Sequence, residues 1–309
     1  MATEKIKLEK AVLAVLAYSA QFNHPLTAME ITKRMLTNKG FYLVDRHLKL
    51  ISKFKSREIN QVLASLVKQK KILKQDNFFT LANQPEAFIK RQKSQLVHHE
   101  KAAVIAEFVQ LIEQIPWVLG ATITGSHAVA GTNQDDIDFL IITQKNRLWL
   151  TRIWLLFQSA CRGRRPHLPN GDLSHSWDLN FWLDETKLTL SAERHTVYEA
   201  YEMLQTRWVF ERQQICQRFY VANSWVAEYL QHWSIPSKKI KIMNQRRNQV
   251  NEILLNWLDW LVMFIQLGYR TIRHGKQRAG KHNAFFHLAE TRQKILKNWQ
   301  IIYQKALKL

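Results

Sequence analysis

The stretch Trp117–Thr143, WVLGATITGSHAVAGTNQDDIDFLIIT, carries two strand signals with polar punctuation between them. Val118–Thr124 is rich in small and β-branched residues, as a buried strand would be. It runs into Gly125-Ser126, where the missing Cβ lets backbone approach a ligand closely and a following helix start offers free amides to a phosphate. Nine residues later Asp136-Ile137-Asp138 leads into a second apolar strand that runs to Thr143.

Alternate residues of a strand share a face. Asp136 and Asp138 therefore point the same way, with Cα atoms roughly 6.5 Å apart, while Ile137 and Phe139 point into packing. Asp135 falls on the opposite face. Two carboxylates on one face repel unless a cation lies between them, and an all-oxygen donor set selects Mg²⁺ or Mn²⁺. Asp178–Leu183 (DLNFWL) reads as a further strand, so Asp178 completes a trio if that strand lies beside the first. Arg147–Cys161 between them reads as a helix.

The order strand, Gly-Ser, nine residues, Asp-x-Asp, helix, strand with Asp resembles the DNA polymerase β-like nucleotidyltransferase superfamily. The resemblance runs from Val118 to about Glu185. It implies that Gly125 and Ser126 contact the triphosphate of an incoming nucleotide, that Asp136 and Asp138 bind two Mg²⁺ ions, and that Asp178 binds the catalytic metal and helps activate the attacking hydroxyl. His127 after the Gly-Ser pair departs from the usual small or aromatic residue. The implied reaction moves a nucleoside monophosphate from an NTP to an acceptor and releases pyrophosphate. Arg147 and Arg152 begin the next helix, in position to face the phosphates. Arg162, Arg164 and Arg165 sit in a Gly/Pro-rich loop where a substrate could approach; for all five a solvated surface is the plain reading.

The first 85 residues read as three helices and a hairpin. Thr27-Ala28-Met29-Glu30 is a capping-box sequence. Ser56 is placed to cap a helix with Ile59, Val62, Leu63, Leu66 and Val67 on one stripe. Ile72–Lys74 and Phe78–Leu81 flank a turn. This pattern resembles a winged helix-turn-helix domain, which implies that Lys70, Lys71 and Lys74, at the helix end and wing, contact nucleic acid; cations complementing a helix C-terminus are the plain reading. Residues 86–115 read as one connecting helix, and 116–190 as the nucleotidyltransferase core.

Residues 191–309 read as helical and basic. From Pro236 onward fifteen Lys and Arg face three Asp and Glu. The later cluster, Arg270, Arg273, Lys276, Arg278 and Lys281, suits sequence-independent phosphate contact and is expected to hold an acceptor away from the carboxylates. Ile253–Leu267 is the most apolar stretch here, but about 15 residues with Asp259 inside is too short and too polar to span a bilayer; a buried helix is expected, with no stable membrane insertion.

The expected fold class is thus mixed α+β: a nucleotidyltransferase-type α/β core, an N-terminal winged helix and an all-helical C-terminal region. The 309 residues carry 45 Lys+Arg against 25 Asp+Glu, a formal charge of +20, with 46% hydrophobic residues. That hydrophobic content excludes a disordered basic tail, and the charge calls for a polyanionic partner. Two distant cysteines suit a reducing cytoplasm. Ala11–Ala20 looks like a signal h-region, but Glu4 and Glu9 before it and no small-x-small site after it favour an amphipathic helix. The expected partners are an NTP with Mg²⁺ or Mn²⁺, and RNA or DNA; the acceptor is an RNA end, a protein side chain or a small molecule, with RNA favoured. A regulator that binds nucleic acid and senses nucleotide without catalysis, and a toxin–antitoxin-type enzyme that modifies a protein partner, are the alternatives.

Overall fold

The computed structural model describes residues 2–50, 53–125, 135–165, 175–235, 252–274, 278–285 and 289–309. The fold is mixed α and β. The N-terminal part contains α1 (Ala2–Ala20), β1 (Leu26–Thr27), α2 (Ala28–Lys33), α3 (Asn38–Phe41), α4 (Ser56–Lys68), β2 (Ile72–Gln75) and β3 (Phe78–Leu81). Its three strands form one antiparallel sheet in the order β1-β3-β2. A two-residue turn joins β2 to β3, with Asp76 at φ 53°, the left-handed conformation such turns require.

Local chemistry sets the helix starts. At α2 the Thr27 hydroxyl accepts the Glu30 N–H at 3.2 Å, and the Glu30 carboxylate accepts the Thr27 N–H at 2.8 Å. Arg91 closes on the same carboxylate at 2.9 Å. Burial pushes the Glu30 pKa up, but Arg91 and the Thr27 N–H outweigh it and hold it below the ordinary value. At α4 the cap is Lys55, whose N–H donates to Glu58 at 2.7 Å, and Ser56 is already helical. The stripe Ile59, Val62, Leu63 and Leu66 is buried.

The span expected as one connecting helix is two, α5 (Glu86–Glu100) and α6 (Ala102–Glu113), which meet at Lys101. Lys101 is 3% exposed and its ammonium donates to the Asp135 carbonyl. After them come β4 (Val118–Ile123), β5 (Ile137–Thr143), α7 (Leu148–Cys161), β6 (Trp177–Asp184), α8 (Val197–Gln205), β7 (Arg207–Glu211), α9 (Ile215–Ala222), α10 (Glu252–His274), β8 (Arg278–Ala279), β9 (Asn283–Phe285) and α11 (Ala289–Ala306).

The region after residue 190 is therefore not all-helical. Arg207–Glu211 and Asn283–Phe285 are strands of the central six-stranded sheet, ordered β7-β4-β5-β6-β9-β8. Short apolar runs between helices carry no period that separates strand from helix; here the free edges of β4 and β6 decide. Only β5 and β6 pair in parallel, joined by α7.

Both faces of this sheet are covered. Ile137, Phe139 and Ile141 of β5 pack with Phe108 and Ile112 of α6 and Trp149 of α7. Leu140 and Ile142 point the other way, into a core shared with α1, α4, α8, α9 and α11. The N-terminal unit is built into that core. Ala11–Ala20 is buried along α1, and Trp299 of α11 donates to the Ala14 carbonyl at 2.8 Å.

Arg212 ties the sheet to α6. It is 5% exposed and donates to the carbonyls of Ile115, Val118 and Glu113 at 2.6, 2.9 and 2.7 Å. Helix α10 overturns one expectation. Its polar residues Asp259 and Gln266 are buried together with Met263, while Trp257, Phe264 and Ile265 stand 65%, 52% and 60% exposed. The polar groups turn inward because α7 offers them hydrogen-bond partners, the Leu150 N–H for Asp259 and the Trp149 carbonyl for Gln266.

Candidate functional site

Two carboxylates face each other where the parallel pair begins, and a third, Asp136, lies two residues before one of them. In the register of β5 and β6, Ile137 lies beside Trp177 and Asp138 beside Asp178. Neighbouring strands run about 4.8 Å apart, so these two acids face each other across one strand spacing. Asp136 immediately precedes β5 and acts electrostatically on Asp138. Past this point the register slips between Asp138 and Leu140, which pairs with Phe181. Such an irregularity re-aims side chains. Asp178 sits on the Asp138 side by direct pairing, and beyond the slip Trp182 reaches the opposite core.

Burial pushes Asp138 up to about 9, helped by the charges of Asp178 and Asp136 and by its hydrogen bond to Asp178. Each of these causes disfavours the charged form of the carboxyl. Among the described residues no three His, Cys, Asp or Glu side chains stand around a common metal position. The donor set itself fits a divalent cation: all oxygen, half-buried, and electrostatically frustrated until a positive charge arrives.

Gly125 follows β4 with φ +65°, and a Cβ there would lie 2.2 Å from the Asp138 Oδ2. The position thus requires glycine on two counts, backbone conformation and the close approach of the carboxylate. The Gly125 N–H is directed to Glu202 of α8. Glu202 is pushed up to about 7 by burial and by Glu199, against the Gly125 N–H and Arg194. Tyr198, one turn earlier on α8, is raised by burial and by Glu202 and Glu199, with a smaller contribution from Asp138. Sequence reasoning missed this acidic second wall, because nothing in a helix 60 residues downstream marks it as facing Asp138.

The basic residues divide in two. Arg147 does not face the carboxylates. It is 3% exposed and binds Asn256 at 2.7 Å and Glu252 at 2.6 Å, both on α10. The reason is strand direction: Asp136 and Asp138 are at the start of β5, and Arg147 follows its far end, about 20 Å away for seven residues. Helix α7 then runs back toward the site. Arg152 is brought down to about 9, by burial first and then by Arg270 and Arg165, while Asp178 supports its charge. Arg270 is likewise lowered by burial and supported by Asp178. Asp178 thus acts electrostatically on both Arg152 and Arg270, and Arg165 acts on Arg152. Arg164 is held by Glu107 at 2.7 Å, and Arg162 lies 3.8 Å from the same carboxylate.

Other expected contact residues are placed as follows. Lys70 and Lys74 are exposed and Lys71 half-buried, at the end of α4 and on β2, with Lys70 at φ 57°. Ser126, His127 and Lys276 lie outside the described residues, as do the side chains of Arg273 and Arg278. Both cysteines are free, Cys161 exposed and Cys216 buried. No helix among the described residues is long and apolar enough to cross a membrane. Comparison with protein-family models, with curated proteins and with solved structures finds no match to this chain.

Proposed function

We propose that the chain is a metal-dependent nucleotidyltransferase that moves a nucleoside monophosphate from an NTP to an acceptor, RNA being favoured. The observation that carries this reading is the pairing of Asp138 with Asp178 on adjacent parallel strands, with Asp136 beside them and Gly125 against the Asp138 carboxylate. The three-stranded sheet with α1, α2 and α4 supports the winged-helix reading of the N-terminal part.

In this reading Asp136, Asp138 and Asp178 hold Mg²⁺ or Mn²⁺. When bound, the cation supplies Lewis-acid activation of the acceptor hydroxyl and neutralises charge on the departing pyrophosphate. The chain's own residues do the positioning. Asp138 would face the cation as a carboxylate, relieving the repulsion from Asp178 and Asp136. Gly125 leaves space beside that carboxylate which any side chain would fill. Arg152 and Arg270 place positive charge next to Asp178, where triphosphate oxygens collect. A bond forms from the acceptor oxygen to the α-phosphorus, and the bond to the bridging oxygen breaks.

The test is incubation of the full chain with labelled NTPs, Mg²⁺ and either total RNA or a protein lysate. Label on an RNA end, lost in Asp136→Ala and Asp138→Ala, is the expected result. Label on protein instead would select the protein-modifying alternative. Turnover retained in both variants would remove the metal assignment.

A further inference from the structure

Helix α10 is inverted relative to an ordinary surface helix. Its inward side mixes Met263, which joins the core, with polar groups: Glu252 and Asn256 take Arg147, Asp259 takes the Leu150 N–H at 2.9 Å, and Gln266 takes Arg152 and donates to the Trp149 carbonyl at 3.1 Å. Its outward side is apolar and aromatic, with Trp257, Trp260, Phe264 and Tyr269 between 46% and 65% exposed. Helix α7, packed against it, adds exposed Trp154 and Phe157. Six rings, each about half exposed and each offering roughly 150–250 Å², present on the order of 600 Å² before any aliphatic side chain is counted. That already equals the largest apolar patch on a typical monomer, about 300–600 Å².

Charge identifies what covers this face. Lys238, Lys239, Lys241, Arg246 and Arg247 precede the helix in sequence, and Arg273, Lys276, Arg278 and Lys281 follow its outward residues. Arg247 is five residues from Glu252, so chain length alone keeps it within about 18 Å of the helix start. An apolar face on a helix that the sequence flanks with cations on both sides is the pair of signals that stable peripheral membrane binding needs. Trp and Tyr are the side chains that settle at the lipid headgroup level. A second copy of the chain would instead bring one body of charge +20 against another. The buried polar side, fixed to α7, keeps the helix lying along a surface.

We propose that the outward face of α10 docks on an anionic lipid surface. This inference is independent of the carboxylate site. It is tested with the full chain and flotation on phosphatidylcholine vesicles made with and without phosphatidylglycerol. The wild type is expected to float with the anionic vesicles at least about tenfold better than with neutral ones, and less as salt is raised. The double variant Trp257→Glu/Phe264→Glu is expected to lose about tenfold or more of that partition with unchanged circular dichroism and melting temperature, since both rings already stand in water. Trp257→Ser/Phe264→Ser serves as the milder pair. Equal flotation of wild type and both double variants would overturn the proposal. So would a wild type that ignores vesicles and forms a dimer that the same substitutions abolish, or one whose apolar-face variants lose RNA binding instead.

Discussion

Asp138 lies beside Asp178 across the parallel pairing of β5 with β6, and the two side chains share a hydrogen bond. The charges of Asp178 and Asp136 both act against the Asp138 carboxylate, a repulsion that a cation would relieve. Asp138→Asn is expected to raise stability by about 0.5–2 kcal/mol while abolishing turnover, the exchange seen where function is held at a cost in stability. Thermal unfolding together with NTP turnover measures both. A variant that is both active and destabilised would contradict the assignment.

Metal binding gives a second readout, separate from catalysis. A ligand at a hundred times its dissociation constant adds about 2.7 kcal/mol to the stability of the state that binds it. Mg²⁺ is expected to raise the melting temperature of the wild type and to leave that of Asp136→Ala/Asp178→Ala unchanged. An equal rise in both would mean that the ion binds elsewhere.

Gly125→Ala introduces a methyl 2.2 Å from the Asp138 Oδ2 at a φ of +65°. Left-handed backbone costs an L-residue about 1–2 kcal/mol and overpacking about 1–3 kcal/mol more. A loss of about 2–5 kcal/mol in urea unfolding is expected. Gly163, also at positive φ but with open space around it, provides the control: Gly163→Ala should carry the backbone cost alone.

Glu30 predicts a pH dependence. Its pKa is held below the ordinary carboxylate value in the folded chain. The stability it contributes is therefore present above the unfolded value and lost as pH falls through the lower folded value. Glu30→Gln should destabilise the protein at neutral pH, and the gap to wild type should close in acid. A gap that persists unchanged at acid pH would point to packing instead of charge.

Arg212→Lys removes a planar fork that serves three carbonyls at once and substitutes a single ammonium. A cost of about 2–4 kcal/mol follows from the carbonyls left without donors, read as a lower urea midpoint. At the site, Arg270→Gln should weaken NTP binding about tenfold, the loss of one charge-assisted contact. Unchanged NTP affinity would return Arg270 to an acceptor-binding role.

The legibility of the chain follows the range of its interactions. Asp136, Asp138 and the glycine turn were readable because strand periodicity and a missing Cβ are local properties. Asp178 was readable as a strand residue, but its partner was fixed only by the pairing of β5 with β6. Arg147 was misplaced because sequence spacing does not say at which end of a sheet a following helix starts. Glu202 left no signal, since it reaches Gly125 only through the packing of α8 on the sheet. The apolar content of α10 was plain, but which side faces water was decided by partners on α7 a hundred residues away. β7 was hidden inside a helical reading until the edge of β4 claimed it.

The bond from Trp299 to the Ala14 carbonyl also sets an order of events during synthesis. Helix α1 leaves the ribosome well before α11, yet the surface that covers its apolar side includes α11, 285 residues later. The entropy of closing such a loop grows only with the logarithm of its length, so the finished contact is sound. The waiting time is the exposed interval. Throughout it Ala11–Ala17 has only part of its final cover, and the chain's recovery in an active form will follow chaperone supply and growth temperature more closely than equilibrium stability.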